Sequence, residues 1–87
     1  IINSGEIVEH ECKIGNFVYI CPGANLAGGV EVGEGTMIGI GAVIIQGIKI
    51  GKWAIIGAGA VIVNDIPDYA MVVGVPGKII KYLKNEN

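Results

Sequence analysis

From Ile2 to Ile62, every sixth residue of the chain is Ile, Val or Leu. The series is Ile2, Val8, Ile14, Ile20, Leu26, Val32, Ile38, Ile44, Ile50, Ile56 and Ile62, without a break. A period of six matches neither an amphipathic helix nor simple strand alternation. It marks a repeat that turns a corner every six residues. Four residues after each aliphatic position the side chain is small or β-branched, as at Cys12, Val18, Ala24, Val30, Thr36, Ala42, Ile48, Ala54, Ala60 and Ile66; Glu6 alone departs. Glycines recur one and three places after the aliphatic residue, for example Gly33 and Gly35, Gly39 and Gly41, Gly57 and Gly59. Glycine at a fixed offset marks a turn or a close backbone approach, and the β-branched residues between favour short extended segments. Each hexad therefore predicts one short strand and one corner. Three corners close a triangle, so residues 18 apart stack. The pattern predicts an all-β fold, a parallel solenoid of about 3.5 coils filled by a ladder of aliphatic side chains.

The hexads stop after Ile62. Residues 63–78, VNDIPDYAMVVGVPGK, hold two of the chain's three prolines and an apolar stretch out of frame, where Pro67 and Pro76 punctuate loops. In residues 77–84, GKIIKYLK, the spacing of Ile79, Ile80 and Leu83 predicts a short helix. An open solenoid end needs a cover. The expected division is thus a solenoid over 1–66 and a closing loop and helix over 67–87. At the other end Ile1 leads directly into the first coil, so an N-terminal domain is expected to be missing from this chain.

Composition narrows the picture. Eighty-seven residues make one domain. Six basic against eight acidic residues, a net charge of −2, offer nothing for nucleic acid. Mean hydropathy is high at +0.62, yet no apolar run approaches the ~18 residues of a membrane span. The ladder accounts for that excess, together with flat outer faces buried between subunits. No signal peptide is recognisable. Cys12 and Cys21 occupy different places in the hexad and read as free thiols of a reducing, cytoplasmic setting. A single histidine excludes a histidine-built metal site, and with it a carbonic anhydrase-like reading of the repeat.

The hexads resemble the left-handed parallel β-helix of the hexapeptide-repeat acyltransferases. The ending VNDIPDYAMVVGVPGKII resembles the segment that closes the acetyl-CoA-dependent members. The stretch IVEHECKIGNFVYICPGANLAGGVEVGEGTMIGIGAVI is similar to the bacterial sialic acid O-acetyltransferase and UDP-amino-sugar N-acetyltransferase subfamily. In that family a Rossmann-like N-terminal domain holds the nucleotide-sugar. The resemblance covers nearly all of this chain and none of that domain. The left hand is implied by the resemblance alone, since crossovers in sheets are usually right-handed.

His10 is the only histidine. By itself it reads as a surface or structural residue. The resemblance makes it the general base, and makes Glu11 the residue that increases its basicity. The chemistry suits both: an amine or hydroxyl attacking a thioester must lose a proton, and a nearby carboxylate favours imidazolium. Glu9 reads as a solvated corner residue. Nine residues after the base, the subfamily carries a second histidine that contacts acetyl-CoA. Here that position is Tyr19, which can hydrogen-bond and pack against the donor. Gly28 follows His10 by 18 residues. The resemblance aims its N–H at the thioester carbonyl, whereas the residues alone read as an ordinary turn glycine. Ile40 and Ala58 are implied to hold the pantetheine arm through backbone groups. Gly74, Pro76 and Lys78 are implied to meet the nucleotide end of coenzyme A. Trp53 and Phe17 stand 36 residues apart at one offset and are expected near a subunit interface.

The resulting expectation is an acetyl-CoA-dependent acetyltransferase acting on a sugar amine or hydroxyl. It needs no metal, and it works as a homotrimer with sites between subunits. The alternatives are a non-nucleotide small-molecule acceptor, or an inactive solenoid with a structural, trimerising role.

Overall fold

The computed structural model describes residue 5 and residues 7–83. Ile2, Glu6 and Lys84 therefore lie outside the described residues. Ten strands of two residues each follow the hexads: β1 (Ile7–Val8), β2 (Lys13–Ile14), β3 (Tyr19–Ile20), β4 (Asn25–Leu26), β5 (Glu31–Val32), β6 (Met37–Ile38), β7 (Val43–Ile44), β8 (Lys49–Ile50), β9 (Ile55–Ile56) and β10 (Val61–Ile62). Two more close the chain, β11 (Ala70–Val73) and β12 (Lys78–Tyr82).

Every third strand pairs in parallel, which yields three sheets. The first is β1-β4-β7-β10, the second β2-β5-β8, and the third β3-β6-β9-β11-β12. The register reproduces the stacks expected from the hexads. Val8, Leu26, Ile44 and Ile62 align in the first sheet. Ile14, Val32 and Ile50 align in the second, and Ile20, Ile38 and Ile56 in the third. Most of these side chains are fully buried, with Val8 and Ile14 in the lowest coil only partly covered.

Corners take a left-handed residue at their second position. Glycine supplies it at Gly23, Gly29, Gly35, Gly41, Gly47 and Gly59, but Glu11, Phe17 and Trp53 adopt it too, at φ 63°, 62° and 54°. A side chain there costs about 1 kcal/mol. The other glycine offset serves stacking. A Cβ on Gly33 would lie 2.7 Å from the carbonyl carbon of Gly51, in the coil above.

One corner is closed differently. At four others a direct turn bond links the residues on either side, for example Ala42 N–H to Gly39 O at 3.1 Å. At Gly51–Ala54 the buried Thr36 hydroxyl intervenes. It donates to Gly51 O at 2.6 Å and accepts from Ala54 N–H at 3.0 Å. Thr36→Val keeps the shape and strands both backbone groups. The expected loss is about 2 kcal/mol by urea denaturation. A loss under about 0.5 kcal/mol would mean that the turn simply closes its own bond.

The closing segment slips the frame. Ile66 pairs with Ile50, and Val72 stacks on Ile56. Where the second sheet runs out of coils, carboxylates replace the next backbone. Asp65 accepts from Lys49 N–H at 2.9 Å, and Asp68 from Lys52 N–H at 2.8 Å. The turn after β11 tops the first sheet, with Val61 N–H donating to Gly74 O and Gly77 N–H to Val61 O.

The helix expected over residues 77–84 is not formed across its described part, residues 77–83. Residues 78–82 are β12, antiparallel to β11. All five of its residues are exposed, so backbone pairing rather than apolar burial selects the strand. A helix would have left the outer edge of β11 unpaired, and Ile79, Ile80 and Tyr82 suit extended backbone. A register shift between Met71 and Val72, with Lys78 and Lys81 on β12, blunts the new edge against further pairing.

Candidate active site

The prism has three edges, and each gathers one set of corners. The first edge, between the first and second sheets, carries His10-Glu11, Gly28-Gly29, Gln46-Gly47 and Asn64-Asp65. Backbone bonds fix this column, with Gly29 N–H donating to His10 O and Gly47 N–H to Gly28 O, both at 3.0 Å. His10 and Glu11 are exposed. No hydrogen bond or ion pair links their side chains in this structure, so any effect of Glu11 on the imidazole acts through solvent or through a bound acceptor.

Gly28 is separable from the turn glycine beside it. Gly29 holds the left-handed corner conformation, φ 74°, whereas Gly28 does not. A Cβ on Gly28 would meet only His10 O, at an ordinary 3.6 Å. Its equivalents His10 and Gln46 carry side chains. The isolated chain therefore has no steric need for glycine at position 28. Its N–H has no partner among the described residues. A free donor one coil above the only histidine, with no Cβ to hinder approach, has the geometry to receive a developing oxyanion.

The third edge, between the third and first sheets, carries Pro22-Gly23, Ile40-Gly41 and Ala58-Gly59. Gly41 N–H donates to Pro22 O and Gly59 N–H to Ile40 O. The N–H groups of Ile40 and Ala58 also lack partners among the described residues. Both residues are exposed. Gly74 and Pro76 cap this edge in the β11–β12 turn, and Lys78 follows as an exposed cation. The sequence assignments thus fall into two groups. His10, Glu11 and Gly28 share one edge, while Ile40, Ala58, Gly74, Pro76 and Lys78 share another. A six-residue side at ~3.3 Å per residue separates the edges by up to about 20 Å. Tyr19 joins neither group. It lies on the outer face of the third sheet, in register with Met37.

Between these two edges the first sheet presents an apolar outer face. Ile7, Val43, Ile45 and Val63 are each 38–51% exposed. The second sheet instead presents Lys13, Glu31 and Lys49 in register. A cavity lies away from all of this, at the second edge. It is an open groove of about 450 Å³ beside Gly35, Met37, Trp53, Tyr69 and Leu83. Trp53 folds its ring over Gly35, where a Cβ would overlap it. Apart from the Tyr69 hydroxyl the residues lining the groove carry no ionisable side chain.

Residues 29–64 match the bacterial transferase hexapeptide (six repeats) family. Solved structures extend the match across the chain. It is 44% identical to a histidine-to-alanine variant of GDP-perosamine N-acetyltransferase from Caulobacter crescentus, solved with CoA and GDP-perosamine. That match covers 98% of this chain at a TM-score of 0.89. The chain belongs to the hexapeptide-repeat transferase family. Its coils accordingly form a left-handed parallel β-helix. The acetyltransferase domain of PglB from Neisseria gonorrhoeae, solved with acetyl coenzyme A, is 45% identical over 90% of the chain, with a TM-score of 0.88. A serine acetyltransferase in complex with CoA is 42% identical over 87%, at 0.83. The chain spans only 39%, 38% and 34% of these three proteins.

The sequence reading missed Gln46 and Asn64, the two polar side chains above Gly28 on the first edge. The 18-residue register that linked His10 to Gly28 already reached them, but neither residue type signals chemistry by itself.

Proposed function

We propose that this chain carries the acyl-transfer site of an acetyl-CoA-dependent acetyltransferase whose acceptor is a sugar amine or hydroxyl. The observation that carries this reading is the pairing of exposed His10 with the free, unhindered N–H of Gly28 one coil above it. The acceptor loses its proton to the His10 imidazole as it attacks the thioester carbonyl. Charge on the carbonyl oxygen is met by Gly28 N–H. The C–S bond then breaks, and the imidazolium returns its proton to the departing thiolate. No acyl-enzyme is needed. The match to a perosamine N-acetyltransferase favours an amine on a nucleotide-linked sugar.

The residues suit the donor. Ile40 and Ala58 offer unpaired N–H groups one coil apart, about 4.8 Å, to an extended arm. Lys78 at the top suits phosphate as a point charge. Tyr19 would contact the acyl end of the donor by packing and hydrogen bonding. His10 stands on a different edge from Ile40, Ala58 and Lys78, so a site that uses all of them draws on two chains. A homotrimer supplies this when the first edge of one copy meets the third edge of the next. The contact is heterologous, closes as a ring, and turns the apolar first sheet inward. This arrangement leaves Phe17 and Trp53 on the outward edge, contrary to their expected interface role. The setting proposed is the cytoplasm, where acetyl-CoA and free thiols coexist.

Calorimetric titration with acetyl-CoA, with mass measured in the same buffer, tests the reading. Saturable binding at one site per chain in a trimer is expected. A trimer without binding would favour the structural alternative, and a monomer that binds would remove the shared site.

A further inference from the structure

We infer that Gln46 and Asn64 hold the donor's pantetheine arm, each hydrogen-bonding one of its two amides. The inference rests on the acetyl-donor reading above and adds side chains to a site so far built from backbone groups.

The direction of the arm follows from two fixed ends. The reacting carbonyl lies at Gly28, in the second layer of the first edge. The nucleotide end lies at the closing segment, above the last coil. The arm therefore climbs past the third and fourth layers of that edge. Their corner residues are Gln46 and Asn64, stacked above Gly28 in the same 18-residue register. Both are exposed, and neither side chain has a hydrogen-bond partner among the described residues.

The spacing agrees with this placement. Coils repeat at about 4.8 Å along the prism. In an extended thioester the first amide nitrogen is four bonds from the acyl carbon, about 5 Å at standard bond lengths, and the second is four bonds further. With the carbonyl at Gly28, the first amide falls level with Gln46 and the second with Asn64. The chemistry agrees as well. An amide presents one donor and one acceptor, and a carboxamide side chain answers both, which a carboxylate or an ammonium cannot do. The facing third edge offers only the aliphatic side chains of Ile40 and Ala58, so the arm's polar groups would otherwise be covered without side-chain partners.

The test compares Gln46→Ala and Asn64→Ala, with CoA affinity read by calorimetry and kinetics read with two donors. The donors are acetyl-CoA and S-acetyl-N-acetylcysteamine, which retains the first amide and lacks the second. Gly28 shows that this column needs no side chain to form its corner, so both variants should fold; Gln46→Leu keeps the bulk as a control. Both alanine variants should weaken CoA binding about five- to tenfold, the scale of one hydrogen bond. Gln46→Ala should raise KM for both donors. Asn64→Ala should raise it for acetyl-CoA and leave the truncated donor within about twofold, while kcat moves less than about twofold in either variant. CoA affinity unchanged in both variants would overturn the inference. So would an equal effect of Asn64→Ala on the two donors. If the unmodified chain binds no CoA, the donor reading itself falls; if it binds and the variants match it, only this inference does.

Discussion

His10→Ala should lower turnover about 100-fold or more, the usual contribution of a positioned general base, while acetyl-CoA affinity stays within a few-fold. The side chain is exposed and makes no hydrogen bond to any described residue. What the corner uses from His10 is its carbonyl, which Gly29 N–H holds at 3.0 Å. Alanine retains that carbonyl, so the solenoid should be indifferent to the change. The acceptor would then have to lose its proton to water, and the departing thiolate would have to recover one from water. Equal turnover by variant and parent would sink the base assignment. A parallel loss of donor affinity would instead make His10 a binding residue. His10→Ala is also the sharpest separation from a structural solenoid, for which it should change nothing measurable.

The second large effect is on stability. Ile38→Ala should cost about 2–5 kcal/mol in urea denaturation. Ile38 is fully buried, and it stacks directly between Ile20 and Ile56. In a globular core, neighbours relax into a void. Here the neighbours above and below are held by backbone ladders on both sides, so the ladder cannot close over the gap. Each coil also depends on its immediate neighbours for burial, which puts a central rung at greatest risk. The adjacent Met37 points outward and is 38% exposed, so Met37→Ala should cost under about 1 kcal/mol. Similar losses at the two positions would contradict the assigned inward face. Should Ile38→Ala fail to fold, Ile38→Val, expected at about 0.5–1.5 kcal/mol, makes the same comparison.

The solenoid was legible because its physics is local and repeated. An aliphatic residue at each sixth position must face one interior, and the same interval must return the chain to the same sheet. Hence the stacks of Val8 with Leu26 and of Ile20 with Ile38 could be written from spacing alone. The same register joined His10 to Gly28. Gln46 and Asn64 were missed because an exposed carboxamide carries no chemical signature until the residues beneath it have a role. The closing segment was misread where repetition ended. Ile79, Ile80 and Leu83 have helical spacing, yet the open edge of β11 recruits residues 78–82 as a strand.

The sequence by itself determined the triangular coil, its inward faces and its single histidine, since each depends on residue type and a fixed interval. Tertiary structure decided three other features. The hand of the coil depends on how successive strands cross over, and residue spacing is the same for both hands. The fate of residues 78–82 depends on a sheet edge supplied by residues 70–73. The separation of His10 from Ile40 and Ala58 onto two edges follows from the 60° corners of the prism.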